Sequence, residues 1–259
     1  DYVRPVDASP VTAIESPEDA LQKAASTFRK DLLGWMGQLT HPVEQTPDWL
    51  AEGIAKGYVL PSLHIRASAR LLLGRLKSRT TAEQALWDLL LSVPRIPLHS
   101  VVISADRYPD DDQPANFQII LSLIDGFGRP LQTQQRVEPG DAYVVENGKL
   151  VIEDGKPKVA HADQRWRISA RVEYNNKGLP VRTYRPYFAN AYGYIDDDCF
   201  KEYGHHDKSF YDVLGRLIKV INAKDDVAYT LLHPWYKTVL DFNDTYSEPA
   251  SNASKVDMQ

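Results

Sequence analysis

The chain has 259 residues, of which 43% are hydrophobic and 25% charged, a balance typical of globular proteins. Its formal net charge of −5 and pI of about 5.8 argue against a sequence-independent nucleic-acid binder, which needs a basic face. No apolar run approaches the ~20 residues of a membrane-spanning helix. The one cysteine, Cys199, excludes an intrachain disulfide framework and a zinc–cysteine cluster.

The first 97 residues are predicted to form a helical segment after an extended lead-in of 16 residues. The chain starts at Asp1 with neither Met nor a signal-peptide pattern, which indicates a processed piece or a part of something longer. Ser16 fits an N-cap and Pro17 the first helical position. Helical spacing of apolar residues extends this helix to Leu39 and predicts Phe28 and Trp35 as core positions, with truncation of either to alanine costing roughly 3–5 kcal/mol.

Shorter helices are predicted to follow in the same segment. They run from Thr46 to Gly57, from Ser62 to Lys77 and from Thr80 to about Leu91. Gly57 is a good C-terminal stop, and Thr80 with Glu83 resembles a capping box. The leucine runs 71–73 and 89–91 are interpreted as helix core.

From Leu98 the periodicity changes to that of strands, so the chain is predicted to be α+β with a β-rich segment over 98–247. Residues 143–156 read as a meander, since Asn-Gly and Asp-Gly stand between β-branched runs. Residues 166–174 alternate as a single strand. Residues 248–259 are interpreted as a polar tail.

A turn signature recurs in the β-rich segment, and each copy joins two β-like runs. The residues that define the copies are Asp125, Gly128 and Arg129; Tyr174, Asn175 and Gly178; and Tyr211, Asp212, Gly215 and Arg216. Asp or Asn can start such a turn through its side chain, and Gly supplies a positive φ three residues later. Because one hairpin alone is marginal in water, repeated units predict a stacked, extended β-structure rather than a pocketed enzyme.

The β-rich segment resembles the C-terminal part of the B component of bacterial Tc insecticidal toxin complexes, of the Rhs/YD-repeat class. The resemblance rests on the turn copies and on residues 97–100, 106–108, 165–166, 182–188, 234–236 and 243–245. It runs in order from about Leu98 to Thr245. The segment from Phe28 to Trp35 is also similar to the helical stretch that precedes it in that family.

The resemblance implies a structural role. In that family the B and C components form a hollow β-shell that encloses the toxic C-terminal region of C, and the shell docks on a pore-forming A component that translocates the toxin. It implies a secreted complex whose partners are the C component, the rest of B and, indirectly, A. The protease of the family belongs to C, so no catalytic residue, cofactor or metal is expected here. The helical segment is expected to plug or brace the shell.

Several local clusters favour ordinary structure over a site. His205, His206 and Asp207, with Glu202 nearby, could hold a metal, but adjacent histidines on a strand point to opposite faces. The acidic runs 110–112 and 196–198 lack the Gly and distal Glu of an EF-hand. Five aromatic residues suit strand packing better than cargo contact: Tyr184, Tyr187, Phe188, Tyr192 and Tyr194.

Two other functions stay open at this stage. A YD-repeat surface could bind a glycan or a host receptor through exposed Tyr and Trp, with Trp166 and Trp235 as candidates. A hydrolase using Asp and His groups in a cleft is the weaker alternative, because no paired constellation with assigned roles emerges.

Overall fold

The structure of the chain is a computed structural model that describes residues 10–21, 25–39, 48–93, 95–107 and 115–245. The helices are α1 (Pro10–Glu15), α2 (Pro17–Leu21), α3 (Asp48–Ala55), α4 (Ala67–Arg75), α5 (Thr81–Ser92), α6 (Phe200–Tyr203) and α7 (Phe242–Thr245), with a 3-10 turn at Gly34–Met36. The strands up to residue 150 are β1 (Ser26–Asp31), β2 (Leu98–Ala105), β3 (Phe117–Ile124), β4 (Pro130–Val137), β5 (Gly140–Tyr143), β6 (Val145–Glu146) and β7 (Lys149–Leu150). The later strands are β8 (Ile152–Glu153), β9 (Lys156–Pro157), β10 (Val159–Ala162), β11 (Arg165–Ser169), β12 (Val172–Tyr174), β13 (Pro180–Tyr184), β14 (Tyr187–Ala189), β15 (His206–Tyr211), β16 (Leu217–Ile221), β17 (Val227–Leu232) and β18 (Lys237–Leu240). The predicted α+β class is confirmed.

The chain forms two compact units, Asp1–Arg129 and Pro130–Gln259. In the first unit β1, β2 and β3 form an antiparallel sheet in that order. In the second unit one sheet has the order β4-β11-β14-β5-β10, with β14 and β5 parallel, and the other is the antiparallel sheet β12-β13-β15-β16-β17-β18. The Asn147-Gly148 and Asp154-Gly155 turns close the small hairpins β6–β7 and β8–β9, as predicted for the meander.

The helices α3, α4 and α5 of the first unit pack around their own apolar core. Its buried residues are Leu39, Leu50, Val59, Ile65, Ala69, Leu73, Leu86 and Leu90. The predicted capping box of α5 is present, because Thr80 Oγ1 accepts from the Glu83 N–H (3.2 Å) and Glu83 Oε2 accepts from the Thr80 N–H (2.9 Å). Gly57 follows α3 with φ of 73°, as a helix stop requires.

The single helix predicted from Ser16 to Leu39 is wrong beyond α2. Residues 26–31 instead form β1, whose Phe28 pairs with Val102 of β2. Pairing with a full-length strand outweighs a helical spacing of apolar residues in a stretch that contains Thr27 and Phe28, both favourable in strands. Phe28 is 59% exposed and Trp35 39% exposed, so neither is a core position and no core-sized cost is expected on truncation.

Two smaller helix predictions are corrected as well. The lead-in contains α1, whose Pro10 occupies the first helical position. Helix α4 begins at Ala67 rather than Ser62, because Leu63 has φ of 63° and His64 and Ile65 form bridges with Gln38 and Val59.

The leucine runs are only partly core. Leu73 and Leu90 are buried, whereas Leu71, Leu72 and Leu91 are exposed. A helix presents one stripe to its core, so three consecutive leucines cannot all reach it. The predicted helix start at 46–47, the acidic run 110–112 and the tail 248–259 lie outside the described residues.

The predicted strand 166–174 is two strands in two sheets. Ala170, with φ of 51°, separates β11 from β12. A left-handed residue breaks the alternation of a strand, and here it directs the next side chain, Arg171, into the interior, where it is buried.

Candidate functional site

The turn at Asp212 shows how one strand–turn–strand unit is closed. The Asp212 N–H donates to Arg216 O, and the Gly215 N–H donates to Asp212 O, both at 3.0 Å. Asp212 Oδ1 accepts from the N–H groups of Leu214 (2.9 Å) and Arg216 (2.8 Å). Gly215 has φ of 82°, so the turn ends in a left-handed residue, and the register of β15 and β16 shifts between Phe210 and Tyr211, just before the turn.

The turns that begin at Asp125 and Asn175 repeat these four bonds at the same offsets. Gly128 and Gly178 both have φ of 78°. Asn175 replaces Asp without loss because its amide oxygen accepts the same two backbone N–H groups. The recurring Asp or Asn and the Gly therefore share one structural role, which is to fix the geometry of the hairpin.

A fourth turn of this kind begins at Asn222 and was missed in the sequence. Asn222 Oδ1 accepts from the N–H groups of Lys224 (2.8 Å) and Asp226 (3.0 Å). Asp225 takes the place of glycine with φ of 67°, a conformation that Asp tolerates better than most residues. The sequence pattern that could have revealed this turn is Asn-x-x-Asp, in which Asp stands where the other turns have Gly.

Two of the turns carry an internal ion pair between their first and fifth residues. Arg216 Nε donates to Asp212 Oδ2 (2.6 Å), and Arg129 Nε donates to Asp125 Oδ2 (2.7 Å). The backbone N–H of Arg216 and its guanidinium hold the pKa of Asp212 below its usual value, although burial opposes this. Burial would raise the pKa of Asp125, but the bonds from Arg129 and Phe127 outweigh it and lower the pKa.

Replacement of Asp212 by asparagine should therefore change how thermal stability depends on pH. A carboxyl whose folded pKa is depressed contributes stability above its unfolded pKa of 3.8 and loses it as pH falls through the folded value. The Asp212→Asn side chain would keep the two backbone acceptor bonds but not the ion pair. The wild type is expected to have the higher thermal midpoint at pH 7, and the difference should shrink as pH falls below 3.8 and vanish once the pH is below the lowered pKa of folded Asp212. A constant difference down to about pH 2 would contradict this cause.

Tyrosine hydroxyls connect successive units. The Tyr174 hydroxyl donates to Pro130 O (3.0 Å), and the Tyr211 hydroxyl donates to Pro180 O (2.9 Å). Each tyrosine is the last residue before a turn, and each acceptor is the first residue of a strand that follows the previous turn in the sequence. Lys177 Nζ also donates to Val213 O (2.6 Å), from one turn to the next. The turns at Asn175 and Asp212 thus lie next to each other along one edge of the six-stranded sheet, and Tyr174 ties that sheet to β4.

The sheet that carries these turns buries few side chains at its far end, where Tyr229 is the one buried residue of β16, β17 and β18. No residue of β16 or β18 is buried, although their side chains alternate between the two faces. By contrast, β2 buries His99, Val101 and Ile103 on one face. A sheet covered on one side would show the pattern of β2, which neither β16 nor β18 has.

A buried cation anchors the loop between β14 and β15. Arg171 donates to Ile195 O (3.2 Å) and Asp197 O (3.3 Å), and its guanidinium lies 4.7 Å from the ring centroid of Tyr184 and 4.4 Å from that of Phe200. Carbonyl oxygens and aromatic faces compensate the desolvated charge. The Tyr184 hydroxyl donates to Glu173 Oε1 (2.5 Å), and burial with this bond raises the pKa of Tyr184.

The same loop is held on its other side by two buried glutamines. Gln132 Nε2 donates to Ile195 O (2.6 Å), and Gln134 Nε2 donates to Gly193 O (2.5 Å). The Gly193 N–H donates back to Gln134 Oε1 (2.9 Å). The two side chains pair with residues 193–195 as a neighbouring strand would. Nothing in the sequence marked Gln132, Gln134 or Arg171 as special, since their role depends on partners 24 to 63 residues away.

The burial and hydrogen bonds of the remaining candidate residues indicate structural roles for most of them. Trp166 is buried and cannot meet a glycan, whereas Trp235 is 95% exposed at the tip of the β17–β18 hairpin. His206 is buried with Nδ1 2.7 Å from Gly204 O, and its neighbour His205 is exposed. Asp197 accepts from the N–H groups of Leu150 and Cys199.

Neither a metal cluster nor a membrane helix is found in the part of the chain that the structure describes. Across those residues, no three or more His, Cys, Asp and Glu side chains are placed to hold a metal ion. No described helix is long and apolar enough to cross a membrane.

Three solved structures of a toxin complex resemble this chain. The crystal structure of TcdB2–TccC3–Cdc42 matches with a TM-score of 0.79 and 31% identity over 96% of this chain. The crystal structure of TcdB2–TccC3 without the hypervariable C-terminal region matches with a TM-score of 0.77 and 31% identity over 97% of it. The Photorhabdus luminescens Tc holotoxin pore with a substituted TccC3 matches with a TM-score of 0.76 and 32% identity over 96%. No protein-family model and no curated protein matches.

These matches cover nearly the whole chain at 31–32% sequence identity, which indicates a shared family as well as a shared fold. They define a component of a Tc toxin complex. Within that class the chain is a TcB-like region, as its turn series predicted. The chain covers 12% of the length of the matched chain in the first of these structures and 11% in each of the other two.

Proposed function

We propose that this chain is a non-enzymatic wall segment of a hollow β-shell that encloses the toxic C-terminal region of a partner C component and helps to deliver it. The shell is of the Rhs/YD-repeat kind. The residues 98–247 form the wall, the helices before residue 97 brace it, and 248–259 are a tail. The direct partners are the C component and the rest of the B component, and a pore-forming A component is reached through them. The complex acts after secretion.

The observation that carries this proposal is a sheet of stacked hairpins that buries few side chains at its far end. An ordinary domain covers at least one sheet face with a second layer. Here no residue of β16 or β18 is buried, while Tyr174 and Tyr211 tie each hairpin to the one before it. Such a sheet gains stability along its own plane, which suits a thin wall with an inside and an outside. We propose no enzymatic role for this chain because, in the family that it resembles, the toxic region belongs to the partner C component.

Co-assembly of purified components tests the wall function. The B component with this region intact is mixed with its cognate C component, and the product is examined by size exclusion and negative-stain imaging. The matched sample is a B component from which residues 98–247 are deleted. A closed hollow particle is expected only with the intact component. Equal particles from both samples, or no C component bound to the intact one, would overturn the proposal.

A second candidate function, glycan or host-receptor binding, is favoured by one observation. Trp235 is 95% exposed and the adjacent Tyr236 is 63% exposed, at a hairpin tip where His233 and Tyr236 stack with ring centroids 4.2 Å apart. Flat aromatic surfaces of this kind suit sugar rings. Binding on a glycan array that is abolished by Trp235→Ala, with co-assembly absent, would move this function ahead of the shell wall.

A further inference from the structure

Helix α4 and the residues that follow it are strongly basic, although the chain as a whole is acidic. Residues 66–79 contain five cationic side chains and no Asp or Glu, whereas the formal net charge of the chain is −5. The five cations are Arg66, Arg70, Arg75, Lys77 and Arg79. None of them forms an ion pair with any residue that the structure describes. The segment therefore presents positive charge that no described carboxylate neutralises.

Apolar side chains are exposed among these cations. Leu71 is 55% exposed, Leu72 49% and Leu76 37%. The stripe of α4 that faces the core is formed by Ala69 and Leu73, both fully buried. At about 3.6 residues per turn, Leu71 stands on the side of the helix opposite this stripe. Helix α4 therefore has a second apolar surface, on its outward side, that its own unit does not bury.

Two further features add to the positive charge of this surface. Arg66 occupies the N-cap of α4, with no side-chain cap bond and no acidic residue in the first turn, so the positive end of the helix dipole is not compensated there. Arg70 lies close enough to Arg95 to act on it, because burial and then the charge of Arg70 lower the pKa of Arg95. An external anion would relieve both.

The combination of leucines and cations indicates what kind of partner fits. A nucleic acid would use the cations through its phosphates but would gain nothing from three exposed leucines. At a bilayer that contains anionic lipids, the leucines can enter the boundary of the acyl chains, while the long Arg and Lys side chains reach the phosphates beside them. The leucines also stand on the convex side of a helix, which a flat surface can cover without a groove.

We infer that the outward side of α4, continued to Arg79, binds the surface of an anionic lipid bilayer. The helix would lie in the plane of the headgroups, with Leu71 and Leu72 directed into the bilayer. This inference goes beyond the shell wall, since it rests on the first unit alone and needs neither the C component nor a hollow particle. It also gives the exposed leucines 71 and 72 a role that helix packing does not.

Vesicle flotation with the full B component tests the lipid surface. The vesicles are phosphatidylcholine alone or phosphatidylcholine with phosphatidylserine. Wild type is expected to bind only the vesicles with phosphatidylserine, and less as salt rises, because salt screens exposed charges. Arg75→Glu with Lys77→Glu should lower the partition coefficient about tenfold or more. Leu71→Gln with Leu72→Gln should lower it by about the same factor, since the apolar contact is lost.

Matched substitutions in the second unit supply the controls. Lys224→Glu with Lys237→Glu changes the net charge equally at exposed positions, and Leu214→Gln replaces a leucine that is 75% exposed. Both controls should bind vesicles like wild type. Equal losses in the controls would overturn the inference, because net charge or general stickiness would then explain the binding.

The remaining outcomes also decide. Failure of wild type to bind phosphatidylserine vesicles, or binding that is insensitive to salt, would overturn the inference. Binding that falls with Arg75→Glu and Lys77→Glu but not with the leucine substitutions would also overturn it, in favour of a phosphate polymer or an acidic protein. The substituted side chains are exposed, so the variants should keep the wild-type thermal midpoint. If one does not, the salt and lipid dependence of the wild type alone decides.

Discussion

Replacement of Phe200 by alanine is expected to destabilise the second unit by about 3–5 kcal/mol. Phe200 is 1% exposed and its ring centroid lies 4.6 Å from that of Tyr187. Its ring also faces the buried guanidinium of Arg171 at 4.4 Å. Truncation would leave a cavity and remove a π face that compensates a desolvated charge, two losses that act together. The free energy of unfolding from urea titration measures the effect.

A matched aromatic in the same unit supplies the control. Trp235 is 95% exposed, so Trp235→Ala should change the free energy of unfolding by no more than about 0.5 kcal/mol. Equal effects of the two substitutions would mean that Phe200 does not hold the loop between β14 and β15. The same comparison separates a stability role from a binding role, because Trp235→Ala is the variant that would abolish glycan binding.

The turns were predictable from the sequence because their bonds are local. The Asp212 side chain accepts from N–H groups two and four residues away, and Gly215 supplies the positive φ that its own position requires. Local chemistry of this kind leaves a residue pattern that can be read directly. The fourth turn was missed only because Asp225 takes the glycine position, where the requirement is for positive φ rather than for glycine itself.

The features that were not predictable depend on distant partners. Whether residues 26–31 form a helix or a strand is decided by β2, about 70 residues away, and not by their own spacing. The division of 166–174 at Ala170 depends on the interior place taken by Arg171. Buried Gln132 and Gln134 resemble surface residues in sequence, since the reason for their burial is the backbone of residues 193–195.

The stacked turns and the glutamine pair both satisfy backbone hydrogen-bonding groups with side chains, but in different ways. The Tyr211 hydroxyl joins β15 to β13, which already pair through their backbones, and the Tyr174 hydroxyl joins β12 to β4 of the other sheet. At β4, two amide side chains take the place of a missing strand and satisfy a loop that has no sheet of its own. Both devices satisfy backbone groups that would otherwise be left without a hydrogen-bond partner.

Replacement of Gln134 by leucine is expected to be the most damaging change to that loop. The leucine side chain is similar in size but offers no donor or acceptor, so the N–H and C=O of Gly193 would both lose their partner. A fully buried orphaned group costs about 1–3 kcal/mol, and the half-buried Gly193 groups should cost less than this each. Gln132 would also lose the bond that its Oε1 accepts from Gln134 (3.1 Å). The loss should appear in the free energy of unfolding and as faster hydrogen exchange of the Gly193 amide.

Gln135→Leu is the matched control, since Gln135 is the next residue of β4, points to the opposite face and is only half-buried. It should leave the Gly193 amide protected and cost little. Gln132→Leu together with Gln134→Leu should cost less than the sum of the single changes, because the bond between the two side chains is counted once in each. Strict additivity, or an unprotected Gly193 amide in the wild type, would show that the glutamines do not act as a paired strand. Because the loop carries Ile195 and Asp197, the carbonyl acceptors of Arg171, its release would also expose that buried charge.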